Sequence, residues 1–279
     1  MKTLEKIIPK RKTRNVIETS YEIISEVDVR DDELNSDTSL SYDLAIRYIG
    51  GGIFTNWEKS NFQINGSKSF TKIDEIYLKV SNPVNALHFY YKKGLISEIK
   101  NYKEILEKWE VSKKQVINEF YGEVLNVIVE KTDQNYNDEE RLCQLLSRDL
   151  VLQHLYTGTE LDDELIYTSS SKSKRRFLGV FDEIPVTYYE TRTLSNIGDQ
   201  LRIKGEGKQK FSEQLNPLLE EYFKRKIEHF KVENLQSTLK TDYIIDPDSL
   251  WVNEAVVTHD IQVLDSNYQK KITLRIKRK

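Results

Sequence analysis

From Leu40 to Tyr48 the chain alternates without a slip. Leu40, Tyr42, Leu44, Ile46 and Tyr48 fall on one side, and Ser41, Asp43, Ala45 and Arg47 on the other. Period two over nine residues marks a strand with one buried and one wet face, which has to join a sheet covered on one side only. The same period recurs near both ends of the chain. From Val16 to Val29, Ile17, Tyr21, Ile23, Val27 and Val29 alternate with Glu18, Ser20, Glu22 and Asp28. Near the C-terminus Ile272, Leu274 and Ile276 alternate with Lys271, Thr273, Arg275 and Lys277. A third early strand is expected from Ile53 to about Ile64, closed by the Asn65-Gly66 turn signal.

The middle of the chain changes period. Ile73, Ile76, Tyr77 and Val80 recur at three and four, which predicts a short helix over 71–81, ended by Asn82-Pro83. Two strands, Ala86–Tyr91 and Leu95–Lys100, are expected around Gly94. Residues 102–157 contain no proline and carry helical stripes, first Ile105, Leu106, Trp109, Val116, Ile117 and Phe120, then a leucine series from Leu142 to Leu155. Three helices are expected there. Afterwards strands return. A short one lies between Asp162-Asp163-Glu164 and Ser169-Ser170-Ser171, followed by Phe177–Phe181, Pro185–Glu190 and a segment at Leu201 and Ile203. A helix over about 214–230 has Pro217 in its first turn, where the missing N–H costs nothing. Asp246-Pro247-Asp248-Ser249 is a turn leading into a long apolar strand, Leu250–Leu264.

This order is not a βαβ series. It predicts an α+β fold: a curved, mainly antiparallel sheet, with a central three-helix cluster (about 102–157) and a later helix (about 214–230) packed on one face. The expected organisation is a basic N-terminal arm, 1–14, and a single α+β domain, 15–279, with the helical insert. In layout alone, and through no shared motif, this is similar to curved half-barrel carriers of the lipoprotein-carrier type, where helices plug the concave face of a sheet.

Charge is segregated. The net charge of −3 divides into +5 in residues 1–14 and +6 in residues 268–279, which leaves −14 in between. The basic ends either lie against the acidic body or form a patch for an anionic partner, through Lys10, Arg11, Lys12 and Arg14 with Lys277, Arg278 and Lys279. Cys143 is the one cysteine, which excludes an internal disulfide framework and a zinc site of several thiolates. No apolar run is long enough to span a membrane, and MKTLEKIIPKRKTR lacks a secretory apolar core, so a cytoplasmic location is expected.

Motifs for chemistry fail on inspection. His88, His154, His229 and His259 show no HExxH or HxH spacing, so no metal is expected. Gly50-Gly51-Gly52 is followed by Ile-Phe-Thr rather than a phosphate-binding lysine and helix, and Gly205 and Gly207 sit at a strand end. No GxSxG occurs, and Asp248 with Glu254 lacks the lysine of a nuclease pattern. No catalytic residue and no cofactor are indicated. What remains is aromatic: 16 Tyr, 10 Phe and 3 Trp, with Trp57, Tyr90, Tyr188 and Tyr189 on strands where one face has to meet solvent or a partner. The expectation is a non-enzymatic binding protein acting through protein–protein contact, as an adaptor, chaperone or immunity-like protein. The alternatives are a carrier or sensor of a small apolar ligand held between sheet and helices, and an enzyme whose site is dispersed along the chain. Nucleic-acid binding through the basic ends is disfavoured.

Overall fold

A computed structural model describes residues 16–32, 35–49, 54–92, 94–158 and 160–279, with side chains undescribed at 16, 17 and 49. Lys10, Arg11, Lys12, Arg14 and Gly50-Gly51-Gly52 lie outside the described residues. The fold class is α+β, as the alternation predicted. The strands are β1 (Val16–Arg30), β2 (Asn35–Ile49), β3 (Phe54–Ile64), β4 (Ala86–Lys92), β5 (Leu95–Ile99), β6 (Ser170–Gly179), β7 (Asp182–Ile197), β8 (Gln200–Gln209), β9 (Leu235–Ile245), β10 (Val252–Val263) and β11 (Gln269–Arg278). They form one open sheet in the order β5-β4-β3-β2-β1-β11-β10-β9-β8-β7-β6. The ladders from β2 to β5 and from β6 to β11 are antiparallel.

The described residues fall into two compact units. One holds 16–22, 40–147 and Lys279, and the other holds 23–39 and 148–278. The first contains α1 (Lys72–Ser81), α2 (Tyr102–Glu119), α3 (Glu123–Tyr136) and α4 (Glu139–Leu146). Thr71 caps α1 with a reciprocal box: its hydroxyl accepts from the Asp74 N–H at 3.3 Å, and the Asp74 carboxylate accepts from the Thr71 N–H at 2.9 Å. Of the stripe expected on α2, Ile105, Trp109 and Val116 are buried together with Ser112, Leu106 and Phe120 are half-buried, and Ile117 turns out to be exposed. Trp109 meets Tyr136 edge-on at 5.3 Å, and its indole N–H donates to Asp133 at 2.6 Å. Asn101 ties the start of α2 to β4, accepting from the His88 N–H and donating to the Ala86 carbonyl, both at 2.9 Å.

The second unit carries the β6–β11 meander with α5 (Leu150–Thr157), α6 (Asp163–Thr168) and α7 (Asn216–Lys224). The Asp246-Pro247-Asp248-Ser249 turn forms as expected, because the Asp246 carboxylate accepts from the backbone N–H of Asp248 at 3.1 Å and of Ser249 at 2.7 Å.

Some expectations need correction. The central segment is helical but holds four helices, not three, because the leucine series breaks between α4 and α5. There Ser147 turns back to the Cys143 carbonyl at 2.7 Å, and the Asp149 carboxylate accepts from the Leu152 N–H at 3.1 Å, capping a new helix. The short strand expected after Asp162 is the helix α6. Asp162 is its N-cap, accepting from the Leu165 N–H at 2.6 Å, and the helix stops at Ser169 in the left-handed region, φ 60°. β2 begins at Asn35, inside what reads as a polar connection, and β6 runs over Ser170–Gly179 rather than Phe177–Phe181. The helix expected over 214–230 shortens to α7, after a 3₁₀ turn at Glu213–Leu215.

Candidate functional site

The inward face of the β6–β11 meander explains why β6 was hard to read. Several of its core positions are polar: Ser171 and Arg175 on β6, Glu190 and Arg192 on β7, Ser237 and Thr241 on β9, His259 on β10. His154 joins them from α5. All are at most 8% exposed. Buried polar groups have to find partners, and most of these find one another, while Ser171 donates to Asp162 and Arg192 reaches backbone carbonyls.

The two histidines form the centre. His154 Nε2 and His259 Nε2 are 3.0 Å apart. His154 Nδ1 lies 2.7 Å from the Tyr243 hydroxyl, and His259 Nδ1 lies 3.1 Å from the Tyr188 hydroxyl, which in turn is 2.7 Å from Ser237 Oγ. Arg175 donates to the Tyr243 oxygen at 3.4 Å and to Glu190 at 3.0 Å, and Thr241 donates to Glu190 at 2.9 Å. Burial holds both imidazoles neutral. His154 is pushed well below its ordinary value by loss of water, then by His259 and Arg175. His259 is lowered to about 3 by loss of water, then by Arg175 and Lys270. Each neutral ring carries one proton. Tyr243 accepts from Arg175, and His154 Nδ1 is the acceptor that lies within reach of its own proton, so the hydroxyl donates there. His154 Nε2–H then donates to His259 Nε2, His259 Nδ1–H to Tyr188, and Tyr188 to Ser237. All four imidazole nitrogens in that chain have a partner.

Arg175 stays charged. Burial is the largest influence and opposes the charge, but Tyr243 and Glu190 together raise it above its usual value. Arg192 is lowered by burial and then by Arg175. It donates to the Gly158 and Glu160 carbonyls, both at 2.7 Å, where α5 ends and its dipole is negative. Gly205 makes room for the ion pair. A Cβ there would stand 1.9 Å from Glu190 Oε1 and 2.5 Å from Thr241 Oγ1, so the carboxylate reaches across β8 only because residue 205 has no side chain. The glycines read as a strand end lie within β8.

Chemically this is a continuous hydrogen-bonded chain that could relay a proton, yet no member is open to a substrate. The structure brings two of the four histidines together with Arg175 and Glu190, and it leaves His88 half-buried on β4 and His229 exposed. Sequence reasoning named His154 and His259 singly. Their separation of 105 residues left no spacing signal for the pair.

The aromatic candidates separate by depth. Trp57 and Tyr188 are buried, Trp57 edge-on to Phe89 at 5.8 Å, so neither faces a partner. Tyr90 is half-buried beneath Lys100, and Tyr189 is 51% exposed beside Lys174. At the C-terminus Lys277 is exposed. Arg278 donates to Asn253 at 3.3 Å, and Lys279 pairs with Asp43. The more exposed apolar cluster lies around the expected helix stop: Tyr121, between α2 and α3, is 96% exposed, with Ile117, expected on the inward stripe, at 51% and Val124 at 64%. Periodicity hid it, because Ile117 and Val124 sit in helices that also carry inward-facing apolar residues, Val116 beside one and Leu125 beside the other.

Among the described residues no group of three or more metal-ligating side chains occurs, and no helix is long and apolar enough to cross a membrane. No family model matches the sequence, and no curated protein matches it. A solved structure of lipid–protein interactions in lipovitellin aligns at a TM-score of 0.49 and 12% identity. The alignment covers 97% of this chain and 25% of that one, so this chain spans about a quarter of the length of the protein it matches.

Proposed function

We propose that this chain is a binding protein that works through contact with another protein, without catalysis of its own. The observation that carries the reading is the apolar tip between α2 and α3. Within eight residues it turns Ile117, Tyr121 and Val124 to solvent, and Phe120 lies half-buried beneath Lys79. Single exposed apolar residues are ordinary, but a cluster around a fully exposed tyrosine is what interface centres are made of. The titratable groups most displaced from their ordinary values support the same reading, since they are sealed in the interior and spent on one another.

The test is affinity purification of the tagged chain from its source cells at low salt, beside the Ile117→Ser/Tyr121→Ser/Val124→Ser variant. All three positions are exposed, so the variant keeps its melting temperature. A stoichiometric partner on the wild-type chain and its loss from the variant are expected. A wild-type monomer with no partner, or a partner held equally by both, refutes the proposal.

A further inference from the structure

α7 is bordered by two 3₁₀ turns, at Glu213–Leu215 before it and Val232–Asn234 after it. Between them opens a groove of about 360 Å³. Its apolar surface includes Phe211 and Phe230, and Glu213, Glu220, Glu233 and Lys231 also line it. The floor is held firmly. Phe230 stacks on Phe223 at 4.4 Å and 21°, Phe223 is fully buried, and Phe211 lies 6.2 Å from Phe181, also fully buried. Among the described residues none of the three glutamates is in an ion pair. Three carboxylates against one lysine give the groove a net −2.

That combination selects among ligands. A wholly apolar molecule would strip water from the carboxylates and return nothing, and an anion would be repelled. A cation at the end of an aliphatic stem satisfies both parts. The stem lies over the phenylalanine rings, the charge meets their faces, and the head group reaches the carboxylates. The size lies at the lower end for binding pockets, suited to side chains rather than a folded element. We propose that this groove receives an arginine or lysine side chain presented by a basic segment of a partner protein. The proposal rests on the reading of the chain as a protein-binding protein and adds the chemistry of the partner. The −14 carried by residues 15–267 would steer such a segment toward the surface.

The test uses the full chain and a fluorescein-labelled synthetic peptide of alternating leucine and arginine, read by anisotropy. Replacing the groove carboxylates, Glu213→Gln/Glu220→Gln/Glu233→Gln, should weaken binding about tenfold. The control, Asp199→Asn/Glu206→Gln/Glu254→Gln, removes as much charge from exposed positions that do not line the groove. It should weaken binding by less than about twofold. Equal weakening in both variants would assign the effect to the overall field and overturn the proposal. Absence of peptide binding, or spermidine binding the groove while the peptide does not, would also overturn it. The Ile117→Ser/Tyr121→Ser/Val124→Ser chain should bind the peptide as the wild type does, so failure of the groove and failure of the α2–α3 contact are read separately.

Discussion

His154 and His259 are ordinary residues in an extreme setting. Unfolded imidazoles protonate near pH 6.5, whereas the folded pair stays neutral, His259 down to about 3 and His154 well below its ordinary value. The unfolded chain therefore binds more protons as pH falls. The stability these residues allow is complete above about pH 6.5 and is lost as pH drops below it. Each histidine contributes a slope of up to about 1.4 kcal/mol per pH unit in that window. Urea unfolding at about pH 7 and about pH 5.5, above the range where most carboxylates titrate, should show the loss, and His259→Gln should make it shallower. A flat wild-type profile between those pH values would contradict the buried neutral pair. Cys143 shows the same force on another group: burial pushes its thiol up to about 11, so it behaves as a small apolar residue, as its place among leucines suggested.

At the scale of elements, β8 shows how a strand is shaped by what crosses it. Its inward positions run Leu201, Ile203, Gly205, Gly207, and the first glycine lies beneath the Glu190 carboxylate. That carboxylate cannot swing aside cheaply, because Arg175 and Thr241 both hold it in the interior. Gly205→Ala should therefore destabilise the protein by about 1–3 kcal/mol in urea unfolding, as overpacking does. In a Glu190→Ala background the nearest obstacle above residue 205 is gone and Thr241 Oγ1 remains, so the added cost should shrink; equal costs in both backgrounds would exclude the clash with the carboxylate. Elements whose inward residues are mostly apolar were legible in sequence: β2, β4, β10, β11 and most of the stripe of α2. β6 and α6 were not. β6 read as a tail to Phe177 because Ser171 and Arg175 occupy its core face, and α6 read as a strand because one buried leucine, Leu165, gives no period. The candidate surfaces were less legible still: Tyr121 and the groove beside α7 were not singled out, and of the four aromatic candidates Trp57 and Tyr188 are core.

At the scale of the whole molecule, the sheet order places β1 beside β11, the first strand against the last. Arg275 reaches Glu26 at 3.3 Å, and Asn267 donates to Asp32 at 2.7 Å. Closing a loop of that length costs entropy before any contact repays it, so β1 gains its neighbour only when the meander is already in place. Deleting residues 269–279 should leave β1 and β10 each without one neighbour and abolish the cooperative thermal transition seen by circular dichroism. A truncated chain that melts as the full chain does would show that β11 is dispensable.

The sequence by itself determined the fold class, most of the strands and helices, and the absence of the familiar catalytic motifs. Those are local matters: a period of two or of 3.6 is written within about ten residues and is enforced by burial of one face. Only the tertiary structure decided which polar residues share an interior, which aromatics stay outside, and that carboxylates meet phenylalanine rings beside α7. These depend on pairings between residues far apart in the chain. His154 and His259 meet across 105 positions because strand register and helix docking bring them together, and no local pattern encodes either.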